Sequence, residues 1–328
     1  MLRFIGKRLL MLIPVLLGIS LVVLIIIDIT PGDPARMLLG TQATEQQVED
    51  LREELGLNDP LPVRYVRFIW NVMQGDFGNS LMTKRPIIDE MLQRFPYTLI
   101  LVTMSIILSI ILGIPIGIYA ATHQHSWKDN TAMFLALFSV SMPSFWFALL
   151  LIRFFGVNLR WLPLSGVSSW KGWILPCVAM ALGLTALIAR QMRSDLLEVI
   201  RQDYITTARA KGLSEAKVKY RHALKNATIP VIMVIGGVFG SSLGGSMITE
   251  VIYSIPGLGQ YIMSGLSNRD YPVIQGGILI ISGMFSVVIL LVDVVFALVD
   301  PRIRSQYAGK RRRKEDLLGK ETQEVEAA

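Results

Sequence analysis

Apolar stretches long enough to cross a lipid bilayer recur along the chain and alternate with polar segments. The uncharged stretches lie at residues 9–27, 95–122, 130–152, 172–189, 226–249 and 271–292. A transmembrane helix needs roughly 20 apolar residues, and one charge at its centre costs on the order of 2.5–3.5 kcal/mol. The pattern therefore predicts an all-α, polytopic membrane protein with six transmembrane helices. The first stretch is longer than the roughly 7–15 apolar residues of a cleaved signal peptide and no Ala-x-Ala site follows it, so we interpret it as a span.

Composition and charge support this interpretation and predict an orientation. The chain is 52% hydrophobic and its mean hydropathy is +0.50, which is above the usual range of soluble domains. If the N-terminus is inside, most of the 32 Lys and Arg residues fall in the inner segments 1–8, 123–129, 190–225 and 300–328. The positive-inside rule then predicts that both termini are cytoplasmic. This topology and contact with anionic lipid explain the net charge of +7, and we expect no nucleic-acid partner.

The sequence lacks the residues that ATP binding or metal chemistry would need. It has no Gly-x-x-x-x-Gly-Lys-Ser/Thr phosphate-binding loop and no His-Glu-x-x-His motif. The single Cys177 excludes an internal disulfide and a cysteine metal cluster. His123 and His125 lie in one short loop and give only a weak indication of a metal site. We therefore expect no catalytic, cofactor-binding or metal-binding residues. The energy for transport would then come from a partner protein or an ion gradient.

The segment between the first two spans predicts two short helices. Thr44 followed by Gln47 is a capping-box pattern that starts the first helix, which Gly56 should end. The second helix follows Pro62 and ends at Gly75. Its apolar stripe at helical spacing consists of Val66, Ile69, Trp70 and Met73. Such a pair could lie on the outer membrane surface or cover the outer mouth of a pathway, and we favour the covering role.

Small residues recur at intervals of four in the second and fifth spans. Gly113 and Gly117 have this spacing in the second span. In the fifth span it produces two adjacent rows, which are Gly236, Gly240 and Gly244 beside Gly237, Ser241 and Gly245. Because small residues let helices approach closely in lipid, we expect tight packing at Gly113 and Gly117. For the two rows, close packing and the lining of a translocation path are equally consistent with the pattern.

Several charged residues lie near the ends of the predicted spans. They are Asp28, Arg153, Arg190, Glu250 and Asp293. Most of them are expected to extend toward the lipid headgroups. Asp293 is followed by further apolar residues, and an intramembrane carboxylate is a candidate functional group. A span that ends near Leu291 would place it at the interface instead.

The basic segment between the fourth and fifth spans, from about Arg190 to Lys225, is long for a connection between spans. Residues 194–211 contain no Gly or Pro and predict a helix. Gly212 suits the left-handed position that follows a helix, and Ser214 could then cap a second short helix that ends near Leu224. A docking surface for a soluble partner and a loop bound to lipid headgroups are both compatible with this pattern.

Two motifs in this loop resemble a known family. Thr206-Thr-Ala-Arg-Ala-Lys-Gly212 resembles the EAA loop of ABC importer permeases, with Thr206 in place of the usual Glu. Arg221-His-Ala-Leu-Lys-Asn-Ala227 is similar to the dipeptide/oligopeptide/nickel subfamily. Further motifs of that subfamily are Pro31-Gly-Asp-Pro-Ala35, Gly75-Asp-Phe-Gly-Asn-Ser80, Arg94-Phe-Pro-Tyr-Thr98, Pro256-Gly-Leu-Gly259, Arg269-Asp-Tyr-Pro272 and Asp300-Pro-Arg-Ile-Arg304. Their order along nearly the whole chain makes the resemblance specific.

The resemblance implies a permease subunit of an ATP-driven importer in the inner membrane of a bacterial or archaeal cell. Its implied partners are a homologous second permease, two cytoplasmic ATPases and an extracytoplasmic solute-binding protein. The resemblance also implies an ATPase-coupling loop, which comprises Thr206, Thr207, Ala208, Arg209, Ala210, Lys211, Gly212, Leu213, Ser214 and Glu215. Arg209 and Lys211 are the basic residues expected to support ATPase docking.

The expected domain division follows from the same resemblance. Residues 1–94 would form the first span with its outer segment, 95–305 the permease core, and 306–328 a disordered basic tail.

A peptide is the favoured solute, and a nickel chelate or glutathione remains open. An ion-coupled secondary transporter is the alternative, but it would need carboxylates deep in broken helices and an inverted repeat. An intramembrane hydrolase would need a nucleophile beside a base.

Overall fold

The computed structural model describes residues 2–30, 32–40 and 42–299. Within these ranges the regular structure is helical, apart from one bridge between Asn79 and Pro86. Five helices are long and apolar enough to cross a membrane, and a sixth span is obtained if a bent helix pair counts as one. The all-α prediction with six spans is therefore confirmed. The predicted tail 306–328, the motif that starts at residue 300 and the side chain of Asp293 lie outside the described part.

The first span is followed by three short helices. The first span is α1 (Leu2–Ile29), and the short helices are α2 (Pro34–Leu39), α3 (Glu45–Glu54) and α4 (Leu61–Met73). Thr44 Oγ1 accepts a hydrogen bond from Gln47 N at 3.3 Å, and Gln47 Oε1 accepts one from Thr44 N at 3.0 Å. This reciprocal pair confirms the predicted capping box. Gly56 and Gly75 follow α3 and α4 with positive φ angles of 66° and 83°, as predicted.

Helix α4 lies beside the C-terminal half of α1. The Tyr65 hydroxyl donates a hydrogen bond to Leu17 O at 2.8 Å, and Arg64 Nη1 lies 2.5 Å from Asp28 Oδ1. Asp28 is thus paired with a neighbouring helix. The apolar stripe faces away from the rest of the chain, since Val66, Trp70 and Met73 are 67%, 60% and 67% exposed. This exposure is compatible with both predicted roles, a helix on the membrane surface and a helix that covers a pathway.

The next three spans contain one sharp bend. Their helices are α5 (Ile87–Thr122), α6 (Trp127–Ser141), α7 (Ser144–Leu151), which continues as a π-helix (Ile152–Asn158), and α8 (Ile174–Ile200). The third span is not the single helix that residues 130–152 predicted, because its two halves meet at 99°. Pro143 disfavours the helical conformation of the residue before it, and Met142 has an extended ψ of 130°.

Helices α5 and α8 approach each other closely at two glycines. A Cβ atom on Gly113 would lie 2.9 Å from Thr185 O, and one on Gly117 would lie 2.5 Å from Ala189 O. Any side chain at either position would therefore push the two spans apart. The predicted tight packing at Gly113 and Gly117 is confirmed.

The remaining helices continue from the loop after the fourth span. They are α9 (Asp203–Ala210), α10 (Glu215–Lys217), α11 (Leu224–Gly245), α12 (Met247–Ile252), α13 (Leu258–Ser267) and α14 (Tyr271–Val299). A π-helical turn, Val218–Ala223, joins α10 to α11 without a break. The predicted short helix that ends near Leu224 is therefore wrong. No Gly or Pro interrupts the chain between Gly212 and Pro230, so nothing local stops the helix.

Candidate functional site

The candidate coupling loop contains a short helix that is separate from the fourth span. The uninterrupted helix predicted over residues 194–211 is wrong, because α8 ends before Arg201 and α9 begins at Asp203. Gln202 takes an extended conformation between them, with ψ at 149°. The carboxyl group of Asp203 lies in the first turn of α9, where negative charge is favourable. The helical conformation is thus interrupted at Arg201 and Gln202, so α9 is a separate helix.

One side of α9 is buried against the spans. Ile205 is fully buried and Ala208 is 8% exposed, in an apolar cluster that also contains Met192 of α8 and Val231 of α11. The opposite side is exposed through Thr206, Thr207, Arg209, Ala210 and Lys211. Because α9 shares this cluster with both spans, a displacement of α9 would be transmitted to α8 and α11.

Gly212 forms the turn after α9. Its φ angle is +75°, as the sequence predicted, and a Cβ atom there would meet nothing within 4 Å. Leu213 is half-buried against the apolar cluster. Ser214 occupies the N-cap position of α10, but its side chain caps no backbone amide, so the predicted side-chain cap is wrong. The turn therefore depends on the backbone freedom of Gly212.

An ion pair connects the two arms of this turn. Arg209 Nε lies 2.8 Å from Glu215 Oε1, and Lys219 Nζ lies 4.0 Å from Glu215 Oε2. Arg209 is thus partly neutralised within the chain, whereas Lys211 is exposed. Exposed pairs of this kind contribute little to stability, because water and salt screen them. The pair therefore orients the arms more than it stabilises the fold.

A second ion pair, which sequence reasoning missed, attaches the connection between α5 and α6 to α8. Arg193 Nε and Nη2 donate to Asp129 Oδ1 and Oδ2, both at 2.6 Å. His125 N also donates to Asp129 Oδ2 at 3.1 Å, and Ser126 Oγ accepts from Asp129 N at 3.3 Å. The Asp129 side chain is only 2% exposed. The Ser126-x-x-Asp129 capping pattern in the sequence could have indicated this helix start, but not the partner Arg193.

The small residues of α11 have two kinds of surroundings, and Gly244 of the first predicted row shares those of the second row. Gly240 packs on α14, because a Cβ atom there would lie 2.9 Å from Ile289 Cγ1, and Gly236 is buried. Positions on the other side face open space or are exposed: Gly237, Ser241, Gly244 and Gly245. Residues 240–244 also have Gly-x-Ser-x-Gly spacing. They lie inside a helix and not on a strand-to-helix turn, so they form no nucleophile elbow.

A groove of about 450 Å³ lies between the bent third span, α8 and α11. Ser241 and Gly245 line one wall, Ser144 and Phe147 of α7 line another, and Arg190 projects from α8. The groove therefore combines hydroxyl groups, one cation and apolar surface. A mixed lining of this kind suits a peptide better than a lipid chain.

Glu250, which was expected at a span end near the headgroups, is instead fully buried, and this expectation is wrong. Its Oε1 accepts hydrogen bonds from Thr98 Oγ1 at 2.7 Å and Ser246 Oγ at 2.9 Å. Its Oε2 accepts one from Gln260 N at 3.0 Å, and Thr98 Oγ1 accepts one from Leu258 N at 2.9 Å. The carboxyl group thus joins α5, α12 and α13.

The glycines of the Pro256-Gly-Leu-Gly259 motif make room for this carboxyl group. A Cβ atom on Gly257 would lie 2.4 Å from Glu250 Cδ, and one on Gly259 would lie 2.5 Å from Met247 Cα. The φ angle of Gly257 is −96°, which any residue can adopt. Glycine is therefore needed here because a side chain would not fit, and not because of the backbone conformation. The motif at residues 94–98 and the motif at 256–259 therefore meet at Glu250.

Two other sequence motifs meet at Asp270. Ser80 Oγ donates to Asp270 Oδ2 at 2.6 Å, and Leu81 N donates to Oδ1 at 3.1 Å. A Cβ atom on Gly276 would lie 2.8 Å from Phe77 O, so the Gly75–Ser80 segment packs directly on α14. Burial also raises the pKa of the neighbouring Tyr261 to about 12.

Comparison with known families gives the chain its classification. Residues 113–305 match the family described as binding-protein-dependent transport system inner membrane component, and residues 1–102 match the N-terminal region of the same kind of protein. The chain belongs to this family. It is a permease subunit of an ABC importer, a multi-pass component of the cell membrane, and the family implies ATPase and binding-protein partners.

Relatives and solved structures agree with this classification. The glutathione transport system permease protein GsiC of Salmonella typhimurium strain LT2 and that of Escherichia coli strain K12 are each 42% identical to the permease over 304 residues. The aligned region covers 93% of this chain and 99% of each relative. Inward-facing structures of the MetNI methionine ABC transporter share the fold, with a TM-score of 0.56 and 18% identity. One such match covers 64% of the permease and 96% of the solved chain.

The different surroundings of the α11 glycines give a testable prediction. Gly240→Val should lower the unfolding temperature of the detergent-solubilised permease, because its side chain must displace Ile289 of α14. Gly244→Val adds the same volume where nothing lies within 4 Å, and it should leave that temperature nearly unchanged. Equal losses for the two variants would show that Gly240 has no special packing role.

Proposed function

We propose that this permease imports glutathione or another short peptide, driven by ATP hydrolysis in partner subunits. The relatives described above are named as glutathione transport permeases, which supports the substrate class. The chain has no phosphate-binding loop, so we assign no catalytic residue and no cofactor to it. The proposed assembly contains a homologous second permease, two cytoplasmic ATPases and an extracytoplasmic solute-binding protein.

The observation that carries the coupling proposal is the exposed polar side of α9. Residues 206–215 offer this side to a partner, while Ile205 and Ala208 are buried among the spans. ATP-dependent closure of the ATPases would press on α9, and the shared apolar cluster would pass the movement to α8 and α11. We therefore propose that Thr206 to Glu215 form the ATPase contact, with Lys211 as an exposed cation in it.

The orientation and the domain division complete the proposal. Both termini lie in the cytoplasm, and α3 and α4 lie on the extracytoplasmic side, as the distribution of Lys and Arg supports. Residues 1–94 form the extracytoplasmic part with the first span, 95–305 the permease core, and 306–328 the cytoplasmic tail. The open side of α11, with Gly237, Ser241, Gly244 and Gly245, faces the path and the second permease.

A cross-linking experiment tests the proposal in the complete importer reconstituted in ATP-loaded liposomes. In a Cys177→Ala background, Lys211→Cys should cross-link to an ATPase subunit and glutathione uptake should then stop. Glu54→Cys, on an exposed position of α3, should not cross-link to an ATPase or lose uptake with the same reagent. Failure of Lys211→Cys to cross-link to an ATPase would refute the coupling assignment. ATP-driven uptake of a dipeptide without any uptake of glutathione would refute that solute.

A further inference from the structure

Arg190 lines the groove between the bent third span, α8 and α11, and it has no counter-ion among the residues that the structure describes. Gly183, Leu187 and Arg190 line the groove and follow one another at helical spacing on α8. The Nε atom of Arg190 is buried, yet it has no hydrogen-bond partner among the residues that the structure describes. The side chain also belongs to none of the ion pairs found in that part of the chain.

A neighbouring arginine on the same helix is paired within the chain. Arg193 lies three residues further along α8, and its guanidinium makes two hydrogen bonds of 2.6 Å to Asp129. A charged group that is partly removed from water is unfavourable unless it is paired. Arg193 meets this requirement through Asp129, whereas the described part of the chain supplies no such partner for Arg190. The natural partner of Arg190 is therefore an anion that enters the groove.

The lining of the groove distinguishes it from the other large cavity of the bundle. That second cavity, about 770 Å³, is lined only by apolar residues and a glycine, among them Phe95, Phe239 and Leu291. It suits a lipid chain or an apolar helix. The groove instead has the hydroxyl-bearing Ser144, Ser241 and Thr249 in the same lining as Arg190. Of these two cavities, the groove combines a positive charge with hydrogen-bonding groups, and the apolar cavity offers neither.

We propose that Arg190 binds the carboxylate of the solute as it passes through the permease. A guanidinium binds a carboxylate through two parallel hydrogen bonds, and neighbouring hydroxyl groups can bind amide groups of a peptide. Arg190 is thus a specificity-determining residue for anionic peptides. This assignment rests on the proposed import of peptides, but the positive potential of the groove can be tested without any transport.

The electrostatic test uses the reconstituted importer with a single cysteine, Ser241→Cys, in the Cys177→Ala background. The reagents are the anionic sulfonatoethyl and the cationic trimethylammonioethyl methanethiosulfonates. Arg190→Gln should lower the ratio of anionic to cationic labelling rates about fivefold, as expected for the loss of one nearby charge. Arg190→Lys should preserve the ratio. Arg153→Gln, which changes an exposed arginine outside the groove, should also preserve it.

The transport test measures glutathione uptake at saturating binding protein. Arg190→Gln should lower uptake at least tenfold while the ATPases remain bound, and Arg190→Lys should restore part of it. An unchanged labelling ratio in Arg190→Gln would overturn the proposal, because it would mean that a lipid phosphate or another fixed anion already neutralises Arg190. A changed ratio with normal glutathione uptake would overturn the carboxylate assignment. Absence of glutathione uptake in the parent importer would refute the proposed solute, and the labelling ratio would still decide whether the groove attracts anions.

Discussion

Glu250→Ala is expected to lower the stability of the permease by about 2–4 kcal/mol and to stop transport. The substitution removes the acceptor of three hydrogen bonds, and each buried donor left without a partner costs about 1–3 kcal/mol. Ser246 Oγ also lies 3.1 Å from Leu243 O and can use that acceptor instead. The Thr98 hydroxyl and Gln260 N then account for most of the loss. The unfolding temperature in detergent and uptake in liposomes measure the two effects.

A double substitution separates this role from general damage to the fold. Gly257→Ala alone should be destabilising, because its Cβ would lie 2.4 Å from Glu250 Cδ. In the Glu250→Ala background that atom is absent, so the added methyl group should cost much less. The two effects should therefore be non-additive by more than about 0.5 kcal/mol, beyond the deviation typical of independent sites. Additive losses of stability would mean that the lack of a side chain at Gly257 is not needed to accommodate the carboxyl group of Glu250.

Local features of the structure could be predicted from the sequence. The capping box of Thr44 and Gln47 and the positive φ of Gly212 depend on residues only a few positions apart. The spans could be predicted because a charge-free run has one stable environment, the lipid. The close approach at Gly113 and Gly117 followed from their four-residue spacing. In each case the residues that give the signal in the sequence lie within one element.

The features that could not be predicted depend on distant partners. The burial of Glu250 requires Thr98, which is 152 residues away, and Asp129 pairs with Arg193 across 64 residues. A single sequence gives no sign of either pairing. The bend at Met142 had a local signal, the proline that follows it at position 143. The prediction relied on the unbroken apolar run instead, and hydropathy does not distinguish a straight helix from a broken one. The helix predicted through Leu224 failed for a related reason, since Ser214 started a helix that nothing local ended.

Gly212→Val is expected to abolish transport while the permease still inserts and folds. The φ angle of +75° costs an L-residue roughly 1–2 kcal/mol, and a β-branched residue tolerates it least. An added Cβ atom would meet nothing within 4 Å, so the substitution is expected to act through the backbone angle and not through a clash. The turn would relax by rotating, which would separate Arg209 from Glu215 and move α9 from its position. Uptake and ATPase retention on the purified permease measure this result.

Gly212→Asn and Gly75→Val are the matched controls for this prediction. Asn tolerates the left-handed conformation, so Gly212→Asn should retain most of the uptake. Gly75 follows α4 as Gly212 follows α9, with a φ of +83° and nothing within 4 Å, so Gly75→Val has a similar local cost. If the turn matters because it aims α9 at the ATPase, only Gly212→Val should lose ATPase retention. Equal retention by both valine variants would show that the orientation of α9 does not determine the contact, and the coupling assignment would have to move to another part of the loop.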